Sequence, residues 1–159
     1  MKIATYNILL SRHPDEVVNT LSQLVGDGVS VICLQEVLKT KGETFIIDRL
    51  LKKLGSEWKA IFHLGNEDNY LAFGTCIIWN SKVLTLKESE KMVLPVAQRI
   101  GFHEWVFGQL AGFKGTIPQR RTITGLFTYG KTLITISSVH LDTIQGMPHR
   151  LEQIRFFIK

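Results

Sequence analysis

Apolar and polar positions repeat along this chain with two different periods, and the change of period divides it. KIATYNIL, residues 2–9, reads as a strand beginning almost at the first residue. After His13, Pro14 suits a helix first turn, with Asp15 and Glu16 near the positive end of the dipole. Val17, Val18, Leu21, Leu24 and Val25 form the apolar stripe of that helix, and Gly26 and Gly28 close it. VSVICLQEV follows, continuously apolar until Gln35, which is the pattern of a buried strand. A second helix is predicted over residues 43–54, with Ile46, Ile47, Leu50, Leu51 and Leu54 inward and Gly55 as its stop.

Beyond that point the period of two persists. EWKAIFHL, FGTCIIWN, KVLTLKES and TITGLFTYGKTLITISSVHL read as strands with short turns, and Tyr129-Gly130-Lys131 is the turn of the last hairpin. Strand, helix, strand, helix and then a run of strands predict an α/β (α+β) fold with a mixed sheet. Residues 95–119 have no clear period; four glycines with Phe102, Trp105, Phe107 and Phe113 suit either a functional loop or a surface excursion pinned by its aromatics. MPHRLEQIRFFIK reads as a closing helix, with Pro148 in its first turn and Leu151, Ile154, Phe157 and Ile158 on one stripe. There is no internal repeat, low-complexity tract, CxxC pair or linker, so residues 1–159 read as one domain or part of one.

Composition narrows this further. At 159 residues and 45% hydrophobic the chain can bury a sizeable core, which excludes a disordered segment. A formal charge of +5 and a pI near 9.3 favour a polyanionic partner, such as nucleic acid or a phosphorylated substrate, without choosing one. Cys33 and Cys76 lie inside apolar runs and are expected to be buried thiols, which fits a reducing compartment. MKIATYNIL lacks the apolar core and cleavage site of a signal peptide, and no run approaches the roughly 20 apolar residues of a membrane helix. The expectation is a soluble, cytoplasmic protein.

Candidate chemistry comes from the strand rows. Strict alternation puts Ile32, Leu34 and Glu36 on one face, Ile134, Ile136, Ser138, His140 and Asp142 on another, and Ile3, Thr5, Asn7 and Leu9 on a third. Each row starts apolar, and the three carry Asn7, Glu36 and His140 toward one end, which predicts a polar pocket at a rim of the core. Singly these residues have ordinary explanations: a loop cap, a solvated strand end, a hydrogen-bonded core histidine. Their combination points to a site.

With TYNIL, ICLQEV, VHLD and HRLEQI in this order, the chain resembles the endonuclease/exonuclease/phosphatase superfamily. That superfamily comprises metal-dependent phosphoesterases, among them deoxyribonuclease-like and tyrosyl-DNA phosphodiesterase-like enzymes. The match runs from Met1 to about Phe157, and LQE after a buried strand is its most specific element. The resemblance implies a four-layer α-β-β-α sandwich with mixed sheets and two halves related by rough pseudosymmetry. It implies Glu36 as the carboxylate for a catalytic Mg²⁺ or Mn²⁺, with Asn7 beside it, orienting the site or touching the metal through water. His140 would face the scissile phosphate, and Arg150 and Gln153 would support the site. Asp142 falls where the family varies and receives no role.

The departures matter as much. The family's Gly-Asp-x-Asn and Ser-Asp-His motifs belong beyond the closing helix and are not in these 159 residues. The resemblance therefore implies an N-terminal portion with the C-terminal part missing, completed by a further segment or a complementing chain. The leading expectation is a divalent-metal-dependent phosphodiesterase or nuclease acting on phosphate esters, nucleic acid among them. Its rival is a non-catalytic basic binding module, or an inactive remnant that keeps part of the phosphate site. A nucleotide-binding α/β domain fits poorly, because NILLSRHPDE offers no glycine-rich phosphate cradle.

Overall fold

A computed structural model describes residues 1–9, 13–40, 45–65, 71–96, 106, 119–141 and 146–158. In chain order they form β1 (Ile3–Asn7), α1 (Pro14–Gly26), β2 (Val31–Thr40), α2 (Ile46–Leu54), β3 (Trp58–Leu64), β4 (Leu71–Asn80), β5 (Thr85–Val93), β6 (Arg121–Tyr129), β7 (Thr132–Ser138) and α3 (Gly146–Phe157). The first sheet has the order β1-β2-β4-β3, with β1 parallel to β2 and β4 antiparallel to both its neighbours. The second, β5-β6-β7, is antiparallel throughout. This is the mixed α/β sandwich that the sequence implies.

The local signals act where they were placed. Pro14 opens α1, and Gly28, at φ +85°, turns the chain out of it while its N–H bonds the Val25 carbonyl at 2.9 Å. Tyr129 and Thr132 close the β6–β7 hairpin around Gly130-Lys131, with Gly130 at φ +59°. The described part of α2 begins at Ile46, and residues 43–44 of the predicted helix lie outside the described residues.

Two cores follow from strand alternation. Ile32, Leu34, Cys76 and Ile78 face α1 and α2, meeting Val18, Leu21, Ile47 and Leu50. Val31, Cys33, Ile77 and Trp79 face the second sheet, meeting Ile123, Phe127 and Ile136, with Trp79 and Phe127 packed edge to face. Both cysteines are buried and free; burial pushes the Cys33 thiol up to about 11 and raises that of Cys76 as well. Both are thiols at neutral pH, and without the thiolate neither is a nucleophile or a metal ligand.

Two expectations need correction. The β1 row is not buried: β1 is an edge strand, and Ile3 is 51% exposed. The closing helix also packs the other way round. On α3 the buried side chains are His149 and Gln153, four residues apart, while Leu151, Ile154 and Ile158 are exposed. The Gln153 amide donates to the Pro95 carbonyl, just beyond β5, at 3.0 Å. No helix among the described residues is long and apolar enough to cross a membrane. Of residues 95–119, only 95, 96, 106 and 119 are described, so the predicted loop lies almost wholly outside the described residues.

Candidate functional site

At the far end of β2 the pairing register breaks. Gln35 pairs with Thr75 and Val37 with Gly74, so Glu36 has no counterpart on β4 and forms a β-bulge with φ +57°. Uninterrupted alternation would send Glu36 toward the helices with Ile32 and Leu34. Val37 occupies that side instead, in the helix-facing core, and Glu36 turns to the rim where the two sheets meet. The row argument that singled out Glu36 thus fails at Glu36 itself. The left-handed backbone costs a glutamate on the order of 1–3 kcal/mol, a strain found where geometry is held for a purpose. Gly74 makes room opposite the bulge: a Cβ there would lie 1.9 Å from the His63 carbonyl oxygen.

Asn7 bridges two functions. Its Nδ2 donates to Glu36 Oε1 at 3.1 Å, while its Oδ1 accepts the Leu9 N–H at 2.9 Å and holds Leu9 at φ +47°. The residue caps the following loop and orients the glutamate at once. His140, just past β7, presents Nε2 at 3.7 Å from Glu36 Oε1 and Nδ1 at 3.3 Å from Arg120 Nη1. A guanidinium only donates, so Nδ1 is the acceptor and the ring proton sits on Nε2, facing the carboxylate. At 3.7 Å that pair is wider than a hydrogen bond, and the Glu36 side chain keeps 21% of its surface exposed.

Beneath this trio a polar stitch joins the sheets. Gln35 Nε2 donates to Ser138 Oγ at 3.2 Å and to Thr5 Oγ1 at 3.2 Å, and Ser138 Oγ donates to the Leu34 carbonyl at 2.8 Å. β1, β2 and β7 are thereby fixed relative to one another directly under Asn7, Glu36 and His140.

The structure brings Asn7, Glu36 and His140 together. It places Gln153 against Pro95 and Arg150 half-buried in the same helix; Asp142 lies outside the described residues. Arg120, which sequence reasoning missed, is 8% exposed and sets the His140 tautomer. Its signal was the pair Arg120-Arg121 at the mouth of a strand, where charge is unexpected.

Among the described residues, no group of three or more His, Cys, Asp or Glu stands close enough to hold a metal. Among these residues Glu36 offers a hard oxygen ligand with surface open to solvent. Mg²⁺ keeps several waters and is commonly held by one or two carboxylates, so Glu36 fits as one ligand of such a site.

The sequence matches no family model and no curated protein. Solved structures do match it. An endonuclease/exonuclease/phosphatase family protein from Leptotrichia buccalis aligns over 100% of this chain and 63% of its own length, at TM-score 0.63 and 18% identity. D. rerio TDP2, complexed with a single strand DNA product, aligns over 98% of this chain and 52% of its own length at TM-score 0.63 and 18% identity. A mannosyl-6-phosphatase from Bacteroides thetaiotaomicron aligns over 98% and 57% at TM-score 0.63 and 15% identity. The chain has the fold of the endonuclease/exonuclease/phosphatase proteins, and it spans between 52% and 63% of the length of these three.

Proposed function

We propose that this chain is the N-terminal part of a divalent-metal-dependent phosphoesterase, a phosphodiesterase or nuclease in which Glu36 binds the metal. One observation carries the reading: a strained bulge takes Glu36 out of the strand alternation and turns it to the rim, where Asn7 and His140 meet it. Bound there, Mg²⁺ or Mn²⁺ would polarise a phosphoryl oxygen and stabilise developing charge. The chain's own residues do the rest. Asn7 holds the Glu36 carboxylate in one orientation through Nδ2. His140, with its proton on Nε2, donates a hydrogen bond to a phosphate oxygen seated beside Glu36. Arg120 keeps that tautomer and adds positive charge behind the ring.

Residues beyond this chain, on a C-terminal segment or a complementing chain, complete the catalytic set in this reading. Its support is the share of each neighbour's length, 63% or less, that this chain spans. Arg150 and Gln153 serve as site support through α3. Two buried thiols, Cys33 and Cys76, suit a cytoplasmic setting.

The test is Mn²⁺ binding to this chain, followed by the paramagnetic resonance of the ion, in the wild type and in Glu36→Gln. Affinity should fall at least tenfold while the circular dichroism spectrum is unchanged. Equal Mn²⁺ affinity in a folded Glu36→Gln sinks the assignment. The second reading, a basic binding module without turnover, is favoured by the charge of +5 and by cations along the rim. It predicts oligonucleotide binding that weakens with salt and no hydrolysis when Mg²⁺ is added.

A further inference from the structure

The rim that carries Glu36 continues across the first sheet into a cluster of positive charge. Register places Asn7 beside Gln35, Gln35 beside Thr75, and Thr75 beside His63, one row on consecutive strands. The row faces the second sheet along its length. Gln35 bonds Ser138 of β7, Thr75 Oγ1 donates to the Arg121 carbonyl at 3.3 Å, and His63 Nδ1 lies 3.1 Å from the Thr122 carbonyl. Gln35 and His63 are two strand spacings apart, so the cluster begins about 10 Å from Glu36.

Arg121 and Lys91 stand at this end. The Arg121 guanidinium donates to the Gln119 carbonyl at 3.2 Å and lies over Gly65, where a Cβ would stand 3.3 Å from its Nη1. Lys91 pairs with Ile123, a residue of the core between the sheets, so its side chain leaves β5 on the seam side. The β5 acids take the other side: Glu88 and Glu90 line a shallow outer groove with Thr124 and Leu126. The fold has sorted β5, with base toward the seam and acid away from it.

Among the described residues neither Lys91 nor Arg121 is paired with a carboxylate. Burial first, and then the repulsion of Arg121 and Lys91, hold the His63 imidazole below its ordinary range, against the hydrogen bond to the Thr122 carbonyl, which acts to raise it. Among the described residues the cluster thus sets two cations beside the His63 ring with no carboxylate paired to either, an arrangement that an arriving anion would stabilise.

We infer that Lys91 and Arg121, beside His63, form a second phosphate-binding subsite for a single-stranded nucleic acid whose scissile phosphate lies at Glu36. A separation of about 10 Å is more than one phosphate group can span, so the second contact falls on a neighbouring nucleotide of the same strand. A substrate with one phosphate reaches only the Glu36 end. The inference rests on the phosphoesterase reading for the identity of that end, and its own test needs neither metal nor turnover.

Binding of fluorescent hexathymidylate to this chain is measured in EDTA over a range of salt concentrations, with thymidine monophosphate as competitor. The wild type should bind the hexamer with a steep salt dependence and the mononucleotide far more weakly. In Lys91→Ala/Arg121→Gln the slope of log K against log salt should fall by about 1.4, since each single-strand phosphate contact contributes about 0.7. Lys52→Ala/Lys53→Ala, which removes the same charge from the last turn of α2, should leave the slope within about 0.3. Lys91→Ala alone, at an exposed strand position, should lower it by about 0.7 and covers the case in which the double variant misfolds. An unchanged slope in folded Lys91→Ala, equal losses in the α2 control, or no hexamer binding at low salt would each overturn the subsite. Failure of the phosphoesterase reading looks different: the hexamer binds as described, yet Mn²⁺ affinity is untouched by Glu36→Gln.

Discussion

The first sheet has two unlike faces. Toward α1 and α2 it stays apolar across the bulge, with Val37 in the place of Glu36, and Ile32, Leu34 and Ile78, with Leu21, Ile47 and Leu50 of the helices, are all 1% exposed or less. Toward the second sheet the same strands begin equally apolar, with Val31 and Ile77, but they end in a bulge, a positive-φ glutamate and a row of amides, hydroxyls and histidines. The helix-packed face keeps its apolar character because the bulge buries Val37 there in place of Glu36. The seam departs from its period where it reaches the rim, and the departure puts Glu36, Asn7 and His140 in one place. A break in local consistency is a better pointer to the site than the consistent rows are.

The contrast can be tested by substitution, and the largest effect belongs to the packed face. Leu50→Ala on α2 should lower the free energy of unfolding by about 3 kcal/mol, read from the denaturant midpoint, because Leu50 is fully buried. Leu151→Ala on α3, 46% exposed, should change it by less than about 0.5 kcal/mol; similar losses at the two sites would refute the reversed packing of α3. Gln153→Ala comes next, at about 1–2 kcal/mol, since it removes the buried donor to the Pro95 carbonyl.

The rim should respond in the opposite sense. Glu36→Gly should be more stable than Glu36→Ala by about 1 kcal/mol, because glycine adopts φ +57° without the steric cost to a Cβ. Chemical denaturation of the two variants decides it, and equal stability would mean that the bulge carries no strain.

The smallest effect is the pH dependence of His63. Its folded pKa is lowered from the ordinary 6.5, chiefly by burial, so the unfolded chain takes up the proton first. The contribution is fully present above pH 6.5 and is lost as pH falls below it toward the folded value. Unfolding curves of His63→Gln between about pH 7 and pH 5 should be flatter than those of the wild type. An equal slope would place the acid sensitivity elsewhere.

Much of this was legible along the chain. Each strand and helix stands near its predicted span, the β6–β7 turn lies at Gly130-Lys131, and the mixed sandwich matches the resemblance carried by TYNIL, ICLQEV and HRLEQI. These are local properties: periodicity, prolines at helix starts and glycines at positive φ act within a few residues of where they are written. Asn7, Glu36 and His140 were also legible as residues. The reason they converge was not.

What the sequence determined by itself is therefore the set of elements, the greasy faces of α1, α2 and the inner strands, and a short list of polar residues where those faces run out. Tertiary structure decided how they are used. The bulge is a feature of the register of β2 on β4, where Val37 pairs with Gly74, and the bare backbone of Gly74 lets β3 close on β4 beside it. Arg120 matters only because β6 runs beside the chain that delivers His140. α3 buries His149 and Gln153 in place of its apolar stripe, and Gln153 is met there by the Pro95 carbonyl, 58 positions away in the chain. Each of these rests on a contact between residues far apart in the chain, and such contacts have no period to be read.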